Sequence, residues 1–442
     1  MREAAHERGA AVERHGPLLT LSALALVVGG VTGLVCALFR LCLQQADRWR
    51  DMAIEWAHGQ AVVGFLLVVL AGAACAFAAW LVRRFAPHAT GSGIPHVELV
   101  LREEVLPAPV ILLPVKFVGG LLAIGSGLAL GREGPSVQMG STLAHLISGL
   151  ARRPWADCRV LMAAGAGAGL ATAFNAPIAG AIFVLEELVQ RFEHRIALAA
   201  LAASATAIAT ARAILGSQPD FAVMPLDPVP ALGQPLFLVL GVIAGLLGVA
   251  YNRSLLATIT LFERLRTLSP EMRAALVGAA VAAVAWFAPA LVGGGDRLTQ
   301  SALSGAGSLA WLPLIFLLRV AMGHASYATG TPGGLFAPLL ALGAQAGLLF
   351  GAGCAALFPG LGIPAPAFAV VGMAALFTGI VRAPLTGIVL ITEMTAAFNL
   401  LLPMLAACFA AMLIPTLLRD APIYEALREG TLRRERPLKT DG

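Results

Sequence analysis

Three short Gly/Pro-rich segments hold the residues of this chain best suited to chemistry: Gly91-Ser-Gly-Ile-Pro95, Gly131-Arg-Glu-Gly-Pro135 and Gly333-Gly-Leu-Phe-Ala-Pro338. Each runs into an apolar stretch with proline near a possible helix start, where its missing N–H costs nothing. The free N–H groups and the positive dipole end of such a helix face outward from its first turn. Several of these ends converging would solvate a small anion without any full positive charge. A full charge would hold the anion too tightly for turnover. The hydroxyl of Ser92 suits the same task, because it donates one bond and adds no charge. Taken singly, each segment reads equally well as a membrane loop with a helix-start proline, and Ser92 as a helix cap.

Glu133 lies inside the second segment. A carboxylate among anion-binding amides is itself an anion that can occupy the site. Ionised, it competes with a free anion; protonated, it leaves and opens the path. Nearby anions disfavour its charge while amides favour it, so it is poised to exchange a proton as anions come and go. Carboxylates placed within a membrane are functional by default.

These segments need elements to hold them, and the composition says which kind. Of 442 residues, 58% are hydrophobic and 12% charged, with mean hydropathy +0.83. A soluble domain carries about 25% charged residues. Half that charge cannot coat a globule of this length, which excludes a soluble enzyme, and the high hydrophobicity excludes disorder. Apolar stretches at 18–43, 61–82, 233–261, 274–292 and 397–418 meet the length of about 20 residues that a crossing needs. Those at 110–130, 136–150, 160–173, 178–189, 335–350, 367–380 and 384–392 are short or interrupted by Gly, Pro or a charge. Helices that stop inside a bilayer are tolerated only where they line a cavity or bind something. Period-two alternation is absent, which argues against a β-barrel. The expected fold is an all-α polytopic membrane protein, and the 48 glycines and 27 prolines mark its broken helices.

The chain also repeats itself. Asn175-Ala-Pro-Ile-Ala-Gly leads to Glu186 as Arg382-Ala-Pro-Leu-Thr-Gly leads to Glu393. Gly134-Pro135 with Gly140 aligns with Ala337-Pro338 and Gly343, and the run Gly29 to Arg40 with Gly241 to Arg253. The halves run from about 18 to 215 and from about 233 to 418, and interrupted helices in corresponding places point to a transport site at the repeat interface.

Net charge is +5, concentrated at the ends: Arg2, Arg8 and Arg14 before the first run, Arg428, Arg433, Arg434, Arg436 and Lys439 after the last. Positive flanks stay cytoplasmic, so residues 1–17 and the tail 419–442 are both expected on that side. Interleaved Glu3, Glu7, Glu13, Glu425, Glu429 and Glu435 make nucleic acid a poor partner. The six cysteines form no CxxC pair and read as small buried hydrophobes. No HExxH, no GxSG with a partner histidine and no intramembrane aspartate pair is present, so neither an enzyme nor a metal or other cofactor is expected.

The three segments, with Phe174-Asn-Ala-Pro-Ile-Ala-Gly-Ala-Ile-Phe-Val-Leu-Glu-Glu187 and Pro422-Ile-Tyr-Glu-Ala-Leu427, resemble the signature stretches of the CLC chloride channels and proton-coupled chloride transporters, in family order. The resemblance covers essentially the whole membrane domain, 18–418. It implies a homodimer of the bacterial inner membrane, each subunit having its own pathway between two inverted halves of tilted, partly spanning helices. It places Ser92 (with amides of the Gly93–Ile94 turn) and Tyr424 on the central anion. Amides near Arg132 to Gly134 and around Leu335 and Phe336 would complete that site. It makes Glu133 the gating glutamate and Glu187 the internal glutamate that receives cytoplasmic protons in the exchangers, with Glu186 supporting water or orienting the path. Alternatively, Glu186 and Glu187 merely end a helix at the interface. Glu98 and Lys116 are expected to form a buried pair, and Glu393 to be structural. Ser92 is the residue expected of chloride-selective members. Only 419–442 follow the last span, too few for the paired nucleotide-binding CBS modules of many relatives. The expectation is therefore a chloride/proton antiporter, with a passive voltage- or pH-gated chloride channel as the alternative.

Overall fold

The computed structural model describes residues 17–224, 228–265, 267–306 and 308–435. The charged ends at 1–16 and 436–442, and the side chains of Arg433 and Arg434, lie outside the described residues. Among the described residues there are seventeen α-helices and no strand: α1 Leu18–Ala57, α2 Ala61–Phe85, α3 Ile94–Leu101, α4 Leu112–Gly125, α5 Glu133–Leu150, α6 Trp155–Phe174, α7 Pro177–Phe183, α8 His194–Leu215, α9 Gln234–Arg264, α10 Pro270–Phe287, α11 Asp296–Leu303, α12 Leu312–Ala328, α13 Phe336–Leu357, α14 Ala365–Val381, α15 Pro384–Thr395, α16 Leu401–Leu417 and α17 Ile423–Glu435.

Among the described residues, seven helices are long and apolar enough to cross a membrane. Five coincide with the long apolar stretches. Two more emerge: α8, whose arginines Arg195 and Arg212 break up its apolar text, and α13, which continues through Gly351 and Gly353 to a full 22 residues. The short helices α3, α7 and α11, with 8, 7 and 8 residues, cannot span.

Sequence dictates the breaks locally. Asn175 ends α6 in the left-handed region at φ 52°, and Arg382 ends α14 likewise at φ 70°. Each is followed by alanine and then a proline that opens the next helix, α7 or α15. The repeated text thus writes the same helix–turn–helix twice.

Packing repeats too. In the first half α5 lies on α6 and α1 on α8; in the second α13 lies on α14 and α9 on α16. The contacts are glycine to backbone: a Cβ on Gly29 would collide with the Ala203 carbonyl, and one on Gly241 with that of Ala407. The small-residue spacings at Gly165/Gly169, Gly241/Gly245 and Gly343/Gly347 all serve such contacts within the chain.

The halves meet at α7 and α15. Both Glu186 oxygens accept from the start of α15, at Leu385 N (2.9 Å) and Thr386 N (2.6 Å). Both Glu393 oxygens accept from the start of α7, at Ile178 N (3.1 Å) and Ala179 N (2.8 Å). A mutual exchange of this kind is what a two-fold relation produces. Because each glutamate leaves the C-terminal end of one helix for the N-terminal end of the other, the helices run antiparallel and the halves are inverted.

Candidate functional site

Backbone hydrogen bonds draw the three Gly/Pro segments together. Gly131 and Gly334 exchange N–H···O bonds at 2.8 and 2.7 Å, and Gly333 N donates to Gly91 O at 3.0 Å. The starts of α5 and α13 are therefore side by side. A Cβ on Gly134 would stand 2.7 Å from Ser92 Cα, so α5 also abuts the loop that opens α3. That loop turns at Gly93, φ 82°, a left-handed conformation that glycine adopts without penalty.

At this junction lies the Glu133 carboxyl, fully buried, its Oε1 accepting from Phe336 N at 2.7 Å. Its Oε2 is buried without a hydrogen-bond partner among the described residues. The carboxyl therefore occupies the kind of position the sequence assigns to an anion, on the first turn of α13 after Leu335. The Phe336 ring packs against Phe377 of α14 and Phe183 of α7, at centroid distances of 4.7 and 5.8 Å. Tyr424, on α17, lies 5.7 Å from the Phe336 ring and is fully buried, its hydroxyl without a hydrogen-bond partner among the described residues. The helix that carries it, α17, packs against α3.

Ser92 is buried, its Oγ accepting from Ile94 N at 3.2 Å, and the Tyr327 hydroxyl lies against neighbouring Gly91. Tyr327 is a residue sequence reasoning missed. Its signal is faint, a polar aromatic six residues before the third segment. The Arg132 side chain points away from the junction, donating to Ala173 O at 2.9 Å and pairing with Asp296 at 3.2 Å and Asp220 at 3.4 Å. Asp220 also pairs with Arg40 of α1. What Arg132 and Gly134 bring to the junction is backbone.

Glu187 lies apart from the junction, buried in a single π turn, Val184–Leu188, that continues α7. Such turns are rare and recur at functional sites. Both Glu186 oxygens accept from the start of α15, which ties the turn carrying Glu187 to the second half. Glu393 makes the corresponding contact with the start of α7.

The expected Glu98–Lys116 pair is not formed. Lys116 Nζ donates to Ala89 O at 2.9 Å and Gly91 O at 2.7 Å, clamping the chain just before Ser92. Glu98 pairs instead with Arg428 of α17 at 3.0 Å. The reason is placement: Lys116 faces two inward-turned loop carbonyls, whereas Glu98 lies farther along α3, on the side covered by α17. Arg428 follows Tyr424 by four residues, a same-face spacing visible in the sequence.

Chemically, a buried carboxyl on amides, an adjacent hydroxyl and an unpartnered phenol can hold a small anion and exchange a proton in one place. A second buried carboxyl stands on the side of α17.

Comparisons with known proteins agree. The family model described as voltage gated chloride channel matches residues 74–416. The H(+)/Cl(-) exchange transporter ClcA of Cronobacter sakazakii is 38% identical over 432 residues, 94% of this chain and 92% of the relative. That of Salmonella typhimurium is 37% identical over 434 residues, 96% and 91% of the two chains. Among solved structures, a slow cyanobacterial Cl-/H+ antiporter superimposes with a TM-score of 0.91 at 31% identity, covering 96% of this chain and all of its own.

Proposed function

This chain belongs to the CLC family of voltage-gated chloride channels and chloride/proton exchangers, and on that premise we propose that it exchanges chloride for protons across a membrane. One observation carries the mechanism: the Glu133 carboxyl seated on the Phe336 amide at the start of α13. Chloride and this carboxylate compete for one set of donors, the amides of the Arg132–Gly134 and Leu335–Phe336 turns, the Ser92 loop with Gly93 and Ile94, and the Tyr424 phenol. Protonation removes the carboxyl's claim on the amides, so it swings out and chloride enters. Returning chloride releases the proton. Glu187 passes protons between the cytoplasm and Glu133. Electrostatic donors without full charge let chloride leave as readily as it arrives.

Two copies are expected to pair as a homodimer in the bacterial inner membrane with both ends of the chain cytoplasmic; cross-linking and protease access to the termini in vesicles test this.

The deciding experiment is flux in proteoliposomes holding a chloride gradient. Protons should move against their own gradient; chloride flux without uphill proton movement would identify a passive channel and overturn antiport. Glu133→Ala should pass chloride and move no protons. Coupled transport surviving in that variant would overturn the gating role.

A further inference from the structure

The loop that carries Ser92 is held by two helices. Lys116 of α4 takes Ala89 O and Gly91 O. Gln138 of α5 donates its Nε2 to His88 O at 2.8 Å, with His96 Nδ1 3.5 Å away. A carbonyl only accepts, so this bond fixes which way the amide points. The Oε1 that remains is buried, without a partner among the described residues, and stands against the loop. A Cβ on Gly93 would lie 2.1 Å from it and 2.9 Å from Gln138 Cβ. Gln138 follows Gly134 by four residues, so both lie on one face of α5. On that face Gly134 meets Ser92 and Gln138 meets Gly93, on the same helix that begins with Glu133. The second half has no such amide. By the repeat that pairs Gly134 with Ala337, the place of Gln138 falls to Ala341. There a Cβ on Gly295, the residue before Asp296, would meet the Ala341 methyl at 2.6 Å.

We propose that Gln138 is a positioning residue that sets the selectivity of the anion site: by tying His88 O and closing against Gly93, it fixes how far the Ser92 hydroxyl stands from the start of α5. This rests on the placing of chloride at Ser92 given above. Amides and a hydroxyl discriminate between anions through the spacing at which they are held, since an anion too large for a rigid set of donors leaves some of them unpaired. A loop free to retreat from α5 removes that penalty and admits larger anions. Lys116 fixes the loop to α4, whereas Gln138 fixes it to the helix that bears Glu133. The Gln138 contact therefore keeps the hydroxyl and the gating carboxyl in one register.

The test compares chloride with thiocyanate in the full chain, by flux in proteoliposomes and by calorimetric titration of each anion in detergent. Gln138→Met, which keeps the length and loses the donor, should weaken chloride binding about fivefold, the worth of one hydrogen bond, and raise the thiocyanate-to-chloride flux ratio by a similar factor. Gln138→Asn, one methylene short of His88 O, is the milder variant should the first not fold, and should raise the ratio about twofold. A merely structural Gln138 would lower the melting temperature and slow both anions alike, so an unchanged ratio in these variants would overturn the proposal. Ser141 lines the same small cavity as Gln138 and His96, its hydroxyl without a partner among the described residues. Ser141→Ala should leave the ratio as it is, and a rise equal to that of Gln138→Met would likewise overturn the proposal. Ser92→Ala distinguishes the premise. If it shifts chloride binding and the ratio, unchanged Gln138 variants overturn Gln138 alone; if it shifts neither, the anion site at Ser92 falls as well.

Discussion

The loop that opens α3 has a twin in the second half, and the two differ where chemistry is concerned. Ala86 and Ala288 share backbone angles (φ −149°, ψ 78° and φ −148°, ψ 77°), and each leads into a 3-10 turn, Pro87–Ala89 or Pro289–Leu291. Gly93 at φ 82° and Gly295 at φ 99° each cap an eight-residue helix. Both loops are clamped from below by a buried cation: Lys116 on Ala89 O and Gly91 O, Arg319 on Leu291 O and Gly293 O, the latter both at 2.9 Å. Yet Ser92 is answered by Gly294, and Glu133 at the start of α5 by Phe336 at the start of α13. Asp296, where Ile94 stands in the first loop, turns to Arg132. The two halves share a similar loop frame, and Ser92 and Glu133, the residues proposed for transport, stand where the correspondence is broken.

The comparison can be broken at its clamps, where the largest effect is expected. Lys116→Met strands two buried carbonyls, at about 1–3 kcal/mol each. It should lower the unfolding temperature and cut chloride flux about tenfold, because the freed loop carries Ser92. Arg319→Met should destabilise by a similar amount in detergent melts while chloride flux stays within about twofold. Equal loss of flux in both would show that the second loop also serves the anion.

The exchanged caps come next. Glu186→Gln and Glu393→Gln each weaken one charged helix cap, about 1 kcal/mol by melting. Only the first should reduce proton coupling, since Glu186 holds the turn that carries Glu187. The smallest effect distinguishes the glycines at φ 60° and 72°, Gly91 and Gly293. Alanine costs about 1–2 kcal/mol of backbone strain at either. At Gly91 the new Cβ would also stand 3.1 Å from the Tyr327 hydroxyl, so Gly91→Ala alone should slow chloride.

Some of this was legible beforehand. Helix starts at proline, the three junction segments and the Glu186/Glu393 correspondence all follow from local text, and local text is what sets caps and breaks. The fourth correspondence, Gly91–Ile94 with Gly293–Asp296, is not legible in the text because the two stretches share little beyond glycine; backbone angles reveal it. The apolar text of α8 is diluted by two arginines, although both lie near its ends and are satisfied, Arg195 on Asp157 and Arg212 on Asn175.

The amino-acid sequence by itself determined that this is a membrane protein of broken helices, where those helices begin, which carboxyl stands among amides and to which family the chain belongs. Tertiary structure alone decided the partners of the buried charges. Glu98 and Arg428 are 330 residues apart, and Glu186 reaches 200 residues to its cap. Inside the protein a charge must take a partner, but several partners of the right sign or polarity are present in the text. Which of them lies within 3 Å is set by how α3, α4, α15 and α17 pack, and Lys116 accordingly holds the Ser92 loop instead of Glu98.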